Sequence, residues 1–253
     1  MACLVIGRFQ EIMDALLALA VGAAALLTAI MGGATGIGSA IAMIAVLTFA
    51  IGIREAIPIV TIAVTIQTVS LVWVNRAFID YRVARWFILG ALPAGALGSI
   101  AFANAPVHLL ARGLAIFLFA IVIYRHLPVS RAWRMDVRAF VPVGFAQGFL
   151  SGLFGGAGPF GALFFLVYGL KRNAFVGTMA LAMTSINIVK MTVYGTYTLL
   201  DDTGLVIAGA LGLIMLVGAY IGGALAHRLS DRVFVYLVEA VIVAAAIALL
   251  VRG

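Results

Sequence analysis

Charged residues are the scarcest class in this chain of 253 residues. Asp, Glu, Lys and Arg together make up 10% of it, whereas hydrophobic residues make up 65%. A soluble domain carries about 25% charged and about 45–50% apolar residues. A soluble fold of this size could not bury so much apolar surface, because about a quarter of that surface stays in water. The composition therefore excludes a soluble enzyme, a disordered protein and a nucleic-acid-binding domain, and it predicts that a lipid bilayer surrounds most of the chain.

Residues that support disulfide, metal or nucleotide chemistry are also scarce. Cys3 is the single cysteine, so no intramolecular disulfide can form. The three histidines stand apart in predicted loops, and the sequence contains no paired metal ligands, no nucleotide-binding loop and no acid–base cluster. We therefore predict no catalytic residue, no metal and no cofactor, and we expect a protein that is not an enzyme.

Long apolar segments dominate what is present, and two of them are too short to cross a bilayer as simple helices. The segments run over 12–30, 38–52, 56–75, 86–103, 107–124, 139–154, 159–170, 173–198, 204–225 and 232–251. A spanning helix needs about 20 residues. Segments 38–52 and 159–170 are shorter, and each follows a glycine-rich stretch, 32–38 or 155–159. This pattern predicts an all-α polytopic membrane protein with two glycine-broken helical hairpins, which are either re-entrant or fully spanning.

Basic residues collect in alternate loops. One set of loops holds most of them: Arg76, Arg82, Arg85, Arg125, Arg131, Arg134, Arg138, Lys171, Arg172, Arg228 and Arg232. Loops on the cytoplasmic side of a membrane protein carry an excess of Lys and Arg. We therefore interpret the net charge of +7 as an excess of basic residues in cytoplasmic loops. It predicts a multi-pass protein of the cytoplasmic membrane with both termini outside.

The two halves of the chain resemble each other. Residues 27–34 align with residues 150–157 at a shift of 123, and the order of breaks, loops and spans then repeats. Each half holds one hairpin and three spans, an odd number, so the second half starts on the opposite side of the membrane. We predict an inverted repeat, with a first repeat at 1–125, a basic cytoplasmic linker at 126–138 and a second repeat at 139–253.

Polar residues inside segment 173–198 form one helical face. Thr184, Asn187, Lys190 and Tyr194 follow one another in steps of three and four, and segment 56–75 carries a similar row of threonines with Gln67 beside it. Hydroxyl groups commonly join membrane helices, and we interpret the threonines that way. Lys190 lies 11 residues before Asp201 at the predicted outer side, which is about 16 Å at the helical rise per residue. A lysine that deep costs at least about 2.5–3.5 kcal/mol, which favours a functional role over a structural ion pair.

The glycine breaks indicate an anion site. After each break a short helix begins within the protein, and a helix start offers free N–H groups and a partial positive charge. We therefore predict that the breaks and the polar residues beside them bind substrate: Gly33, Thr35, Gln67, Gly155, Gly156, Gly158, Asn187, Lys190 and Tyr194. Gly33 and Gly156 are expected to approach each other near the membrane midplane. Arg112 and Glu239 are either snorkelling charges or an ion pair. The glycines at 90, 98, 218 and 222 are interpreted as packing contacts.

One motif of the second half resembles a known family. Residues Gly148-x-x-Ser151-Gly152-Leu153-Phe154-Gly155-Gly156-Ala157-Gly158-Pro159, then Gly177-Thr178, then Asn187-x-x-Lys190 with Tyr194, are similar to the TauE/SafE sulfite exporters. The stretch 32–36 resembles the family's first-half copy of this motif. The resemblance covers nearly the whole chain. It implies transport of sulfite and organosulfonates, usually outward, across the cytoplasmic membrane.

The expected function is a secondary transporter of small sulfur-containing anions. Without an ATP-binding motif, its energy would come from an ion gradient or from the substrate's own gradient. A passive anion channel and an importer of another small anion remain alternatives, as does a non-transporting subunit, which would leave Lys190 unexplained. Beyond the anion and the bilayer we expect no nucleic-acid partner, and the sequence leaves a homo-oligomer open.

Overall fold

All regular structure in the described part of the chain is helical, as predicted. The computed structural model describes residues 2–35, 38–126 and 135–225. The helices in these ranges are α1 (Ala2–Thr35), α2 (Ser39–Ile51), α3 (Ile53–Asn75), α4 (Tyr81–Asn104), α5 (Val107–His126), α6 (Phe140–Phe154), α7 (Gly158–Val167), α8 (Arg172–Thr196) and α9 (Asp202–Leu225). Single 3-10 turns at Arg76–Phe78 and Val137–Ala139 precede α4 and α6.

Six stretches of the described residues are long and apolar enough to cross a membrane. They are Leu16–Ala34, Ile53–Phe78, Tyr81–Asn104, Val137–Phe154, Arg172–Thr196 and Asp202–Leu225. Large apolar side chains point outward from these helices; Leu19 and Val206 are 71% and 72% exposed. Such surfaces are stable in lipid, where an apolar side chain meets an apolar solvent. The predicted segment 232–251 and most of the linker 126–138 lie outside the described residues.

The first glycine break begins later than predicted. The sequence assigns Gly32, Gly33 and Ala34 to the break, but in the structure they continue α1 as far as Thr35. Gly33 serves packing in this last turn, because a Cβ built on it would lie 2.2 Å from the Ala219 carbonyl oxygen of α9. The break itself includes Gly38, whose φ of +94° is favourable only for glycine.

The second break lies where the sequence places it. Helix α6 ends at Phe154, and Gly155 takes a left-handed φ of +83°. Helix α7 begins at Gly158 with Pro159 in its first turn, where the missing proline N–H has no intrahelical partner to lose. Helices α6 and α7 therefore form a broken hairpin.

The helices of the two halves pack in corresponding pairs. Helix α4 packs against α6, and α1 packs against α9. Helices α3 and α8 contact each other, while α3 also contacts α9 and α8 also contacts α4. If α1 is exchanged with α6, α3 with α8 and α4 with α9, the same set of contacting pairs results. As a result, the α3–α8 pair links the α1–α9 pair to the α4–α6 pair.

Glycines set the closest of these contacts. A Cβ on Gly90 or Gly98 of α4 would lie 2.0 or 2.2 Å from a carbonyl oxygen of α6, and one on Gly222 of α9 would lie 1.9 Å from the Ile30 carbonyl oxygen of α1. A Cβ on Gly218 would lie 2.8 Å from the Leu26 carbonyl oxygen. The packing interpretation of these four glycines is confirmed, since only glycine lets the helix backbones approach so closely.

Replacing Gly98 with leucine is expected to prevent the protein from folding. The new side chain would overlap the α6 backbone at Phe149. The loss of folding free energy should therefore be larger than that of an ordinary overpacked core, which is about 1–3 kcal/mol. Gly209→Leu is the matched control, because a Cβ on Gly209 of α9 meets nothing within 4 Å. The yield of monodisperse protein in detergent measures the effect. Equal yields of the two variants would contradict the described α4–α6 contact.

Candidate functional site

A small cavity lies between the two hairpins and the α3–α8 pair. Its volume is about 50 Å³. One water molecule requires about 10–15 Å³, so the cavity is several times larger than a single water site. The described residues that line it are Gly38, Ser39, Ala40, Ile41, Val60, Thr61, Val64, Thr68, Ser151, Gly155, Gly156, Ala157, Gly158, Pro159, Met179, Met183 and Asn187. The cavity therefore brings together both predicted breaks and Asn187 of α8.

The N-termini of α2 and α7 both border this cavity. Gly156, just before α7, faces the start of α2, and a Cβ built on it would lie 3.1 Å from the Ala40 Cβ. The first N–H groups of each helix have no partner within the helix, and they carry the positive end of the helix dipole. None of the described residues that line the cavity is acidic. These features make the cavity electropositive without placing a cationic side chain in its described wall.

Lys190 is fully buried directly behind the second break. Its Nζ donates a hydrogen bond of 2.6 Å to the Gly155 carbonyl oxygen and one of 3.3 Å to Asn187 Oδ1. The ammonium group is thus bound to the backbone of the cavity wall, and the described wall does not include Lys190 itself. The sequence predicts that Lys190 and Asn187 both bind the anion; in the structure they share one helical face and are hydrogen-bonded to each other, and the Lys190 ammonium lies behind the cavity wall.

These two hydrogen bonds restrict two donors beside the cavity, the Gly156 N–H and the Asn187 amide. In a trans peptide the carbonyl and the following N–H point in opposite directions. Because Lys190 holds the Gly155 carbonyl, the Gly156 N–H at the other end of the same peptide points away from Lys190, and Gly156 itself lines the cavity. Because Asn187 accepts from Lys190 through Oδ1, its NH₂ group is the donor that it can offer to the cavity.

Tyr194 and Gln67 bind the hairpins from outside the cavity. The Tyr194 hydroxyl donates to the Gly152 carbonyl oxygen at 3.0 Å, and Gln67 Nε2 donates to the Ala29 carbonyl oxygen at 3.2 Å. Ser39 Oγ also donates to Gln67 Oε1 at 2.9 Å. Ala29 and Gly152 correspond at the repeat shift of 123 residues. Both side chains are buried, and they position the breaks without belonging to the described wall of the cavity.

The structure does not bring every predicted residue to this site. Gly33 contacts Ala219 of α9 instead of Gly156, so the first-half residues opposite Gly156 are Ala40 and Ile41. Thr35 is the last residue of α1, and its side chain lies outside the described part. Arg112 is an exposed residue of α5, and its predicted partner Glu239 is outside the described residues.

Sequence reasoning missed several polar lining residues. Thr61 and Thr68 of α3 were interpreted as helix-joining hydroxyls, and Thr68 does accept a hydrogen bond of 2.9 Å from Thr184 of α8. Both also line the cavity, as does Ser151 of α6. The three-and-four spacing of the threonines and the place of Ser151 in the break motif are the signals that could have identified them.

Comparison with known proteins fits this arrangement. A model of the family described as "Sulfite exporter TauE/SafE" matches residues 21–249, which include both breaks and every described residue of the cavity wall. The chain belongs to the sulfite exporter TauE/SafE family. TauE/SafE proteins are membrane transporters, so the chain is a multi-pass membrane transporter and not an enzyme. No curated protein and no solved structure significantly matches the chain.

Proposed function

We propose that this TauE/SafE protein is a secondary transporter that exports sulfite, and related small anions such as organosulfonates, across the cytoplasmic membrane. One observation carries the proposal: two helix N-termini and the Asn187 amide surround a buried cavity whose wall is bound by a buried lysine. Helix N-termini and amide groups bind oxyanions by donating hydrogen bonds to them.

Sulfite and sulfonates match the directions of these donors. Each presents three acceptor oxygens on one sulfur atom, so a single anion can accept from the α2 start, the α7 start and Asn187 together. Lys190 contributes positive charge from behind the Gly155 peptide, where low polarity strengthens its attraction for an anion. The anion would meet backbone donors and a neutral amide, which lets it leave more readily than a direct ion pair would.

An inverted repeat would give this site access to either side of the membrane in turn. Transporters of that architecture bind substrate at the interface of the repeats, between broken helices. The corresponding pairs α1–α9 and α4–α6 support such a repeat here. We propose that one hairpin with its partner helix moves against the other around the cavity.

Sulfite counterflow in proteoliposomes tests the function. Vesicles loaded with unlabelled sulfite should transiently accumulate radiolabelled sulfite above equilibrium, with an initial rate that saturates. Taurine-like sulfonates and thiosulfate should compete if they share the site, and empty liposomes provide the baseline. A linear rate without counterflow would favour a passive anion channel. Absence of any sulfite-dependent flux would refute the proposed substrate.

The proposed topology places Arg82 and Lys171 in the cytoplasm and Asp202 outside. All three residues are exposed, and the first two belong to the loops with the basic excess. In a Cys3→Ala background, a membrane-impermeant maleimide should label Asp202→Cys on intact cells. It should label Arg82→Cys and Lys171→Cys only in inside-out vesicles. Labelling of Arg82→Cys on intact cells would reverse the orientation.

A further inference from the structure

A second, larger cavity opens at the end of the bundle that carries Arg76 and Lys171. Its volume is about 360 Å³, and it lies between the C-terminal parts of α1, α3 and α9 and the start of α8. The polar residues among its described lining are Ser70, Asn75, Arg172, Asn173 and Tyr220, and no acidic residue belongs to that lining. We call this space the outer cavity because it lies at the end of the bundle, which faces the cytoplasm in the proposed topology. The space of about 50 Å³ between the hairpins is the central cavity.

Arg172 places a fixed positive charge at the outer cavity. One guanidinium nitrogen, Nη2, donates a hydrogen bond of 2.9 Å to the Ala34 carbonyl oxygen at the end of α1. This contact joins α8 to α1 beside the cavity that both helices line. A neighbouring basic residue, Arg76, lies over the Trp73 ring at 4.6 Å and is not part of the described lining.

The two cavities follow the same face of α3. Thr61, Val64 and Thr68 line the central cavity, and Leu71 and Asn75 line the outer cavity. These positions follow one another in steps of three and four, which places them on one side of the helix.

Helix α8 shows the same arrangement. Asn187, Met183 and Met179 line the central cavity, and Val176 and Arg172 line the outer one. The spacing is again three or four residues. The cavities therefore lie in sequence along the α3–α8 interface, and the boundary between them falls at Thr68 and Leu71 of α3 and at Val176 and Met179 of α8.

We infer that the outer cavity is a separate binding site for a small oxyanion, which Arg172 and Asn173 hold before the anion moves along α3 and α8 to the central cavity. A guanidinium group binds a sulfonate or sulfite through paired N–H donors, and the Asn173 amide can add a third. The assignment of this anion as the transported substrate rests on the proposed function. The existence of an Arg172-dependent anion site can be tested independently of that function.

Thiol labelling at Ser70 tests this site directly. In a Cys3→Ala background, Ser70→Cys is treated with an anionic sulfonatoethyl methanethiosulfonate or a cationic trimethylammonioethyl one. Arg172→Gln should lower the ratio of anionic to cationic labelling rates by about fivefold or more, because it removes a unit charge from the lining of the cavity that Ser70 also lines. Arg172→Lys should keep most of the ratio. Lys171→Gln, the matched control, should change it less than about twofold, since Lys171 is not part of the described cavity lining and water and salt screen its charge.

Methanesulfonate provides the second measurement. It should slow the labelling of Ser70→Cys in the protein with Arg172 and should not do so after Arg172→Gln. An unchanged labelling ratio, an equal effect of Lys171→Gln, or no protection by methanesulfonate would overturn the proposal. If Arg172→Gln does not fold, protection in the Ser70→Cys protein alone decides. Arg172-dependent labelling without sulfite flux would refute the proposed function and support the outer site. Sulfite flux without Arg172-dependent labelling would support the proposed function and refute the outer site.

Discussion

Replacing Lys190 with methionine is expected to weaken anion binding at least about tenfold, a loss of ~1.4 kcal/mol, and to reduce transport accordingly. Two effects act together. The positive charge behind the Gly155 peptide disappears, and the hydrogen bond that orients the Gly156 N–H is lost. Methionine keeps the length and the apolar part of the side chain. Folding should persist or improve, because a buried cation is costly inside a membrane protein.

Sulfite-dependent thermal stabilisation and counterflow, measured on the same preparation, check this prediction. Lys171→Met is the matched control, since it removes an exposed charge at the start of α8 and should leave binding near the parent value. Lys190→Arg should recover part of the affinity by restoring the charge. Parental binding and transport by Lys190→Met would show that Lys190 is a structural residue that only holds the Gly155 carbonyl, and the anion site would have to lie elsewhere.

Replacing Gly156 with leucine should abolish transport while the protein still folds. A Cβ at this position would lie 3.1 Å from the Ala40 Cβ and 3.4 Å from Ile41 Cγ1, so small shifts of those side chains could accommodate it. The remaining leucine atoms would extend into a cavity of only about 50 Å³ and fill the space that the anion needs. Counterflow should fall to the level of empty liposomes, and the elution profile in detergent should match that of the parent.

Two other glycines make this prediction specific. Gly33→Leu should fail to fold, because its Cβ would lie 2.2 Å from the Ala219 carbonyl oxygen, where no side-chain movement can relieve the overlap. Gly195→Leu should fold and transport normally, since nothing lies within 4 Å of a Cβ at that position. If Gly156→Leu transports at the parental rate, the second break serves packing alone. If it behaves like Gly33→Leu, the space beside Gly156 is not a substrate cavity.

The sequence alone predicts the class of this protein and the residues of its second break. Apolar composition requires a lipid environment, and segment length separates spanning helices from the short α2 and α7. Gly155 and Pro159 mark the break because their backbone preferences are local: one favours a left-handed φ and the other a helix start. The three-residue spacing of Asn187 and Lys190 likewise places them on one face before any tertiary contact forms.

Tertiary structure alone decides what each of these residues contacts. Gly33 and Gly156 occupy equivalent places in the predicted repeat, yet one packs against α9 and the other borders the central cavity, because helix packing depends on the partner surface and not on the local sequence. The same holds for Lys190. Its spacing from Asn187 is fixed by the helix, but its bond to the Gly155 carbonyl depends on how α8 packs behind the hairpin. Contacts between distant segments arise only from that packing, so a single sequence can predict the donors of this site but not which of them faces the anion.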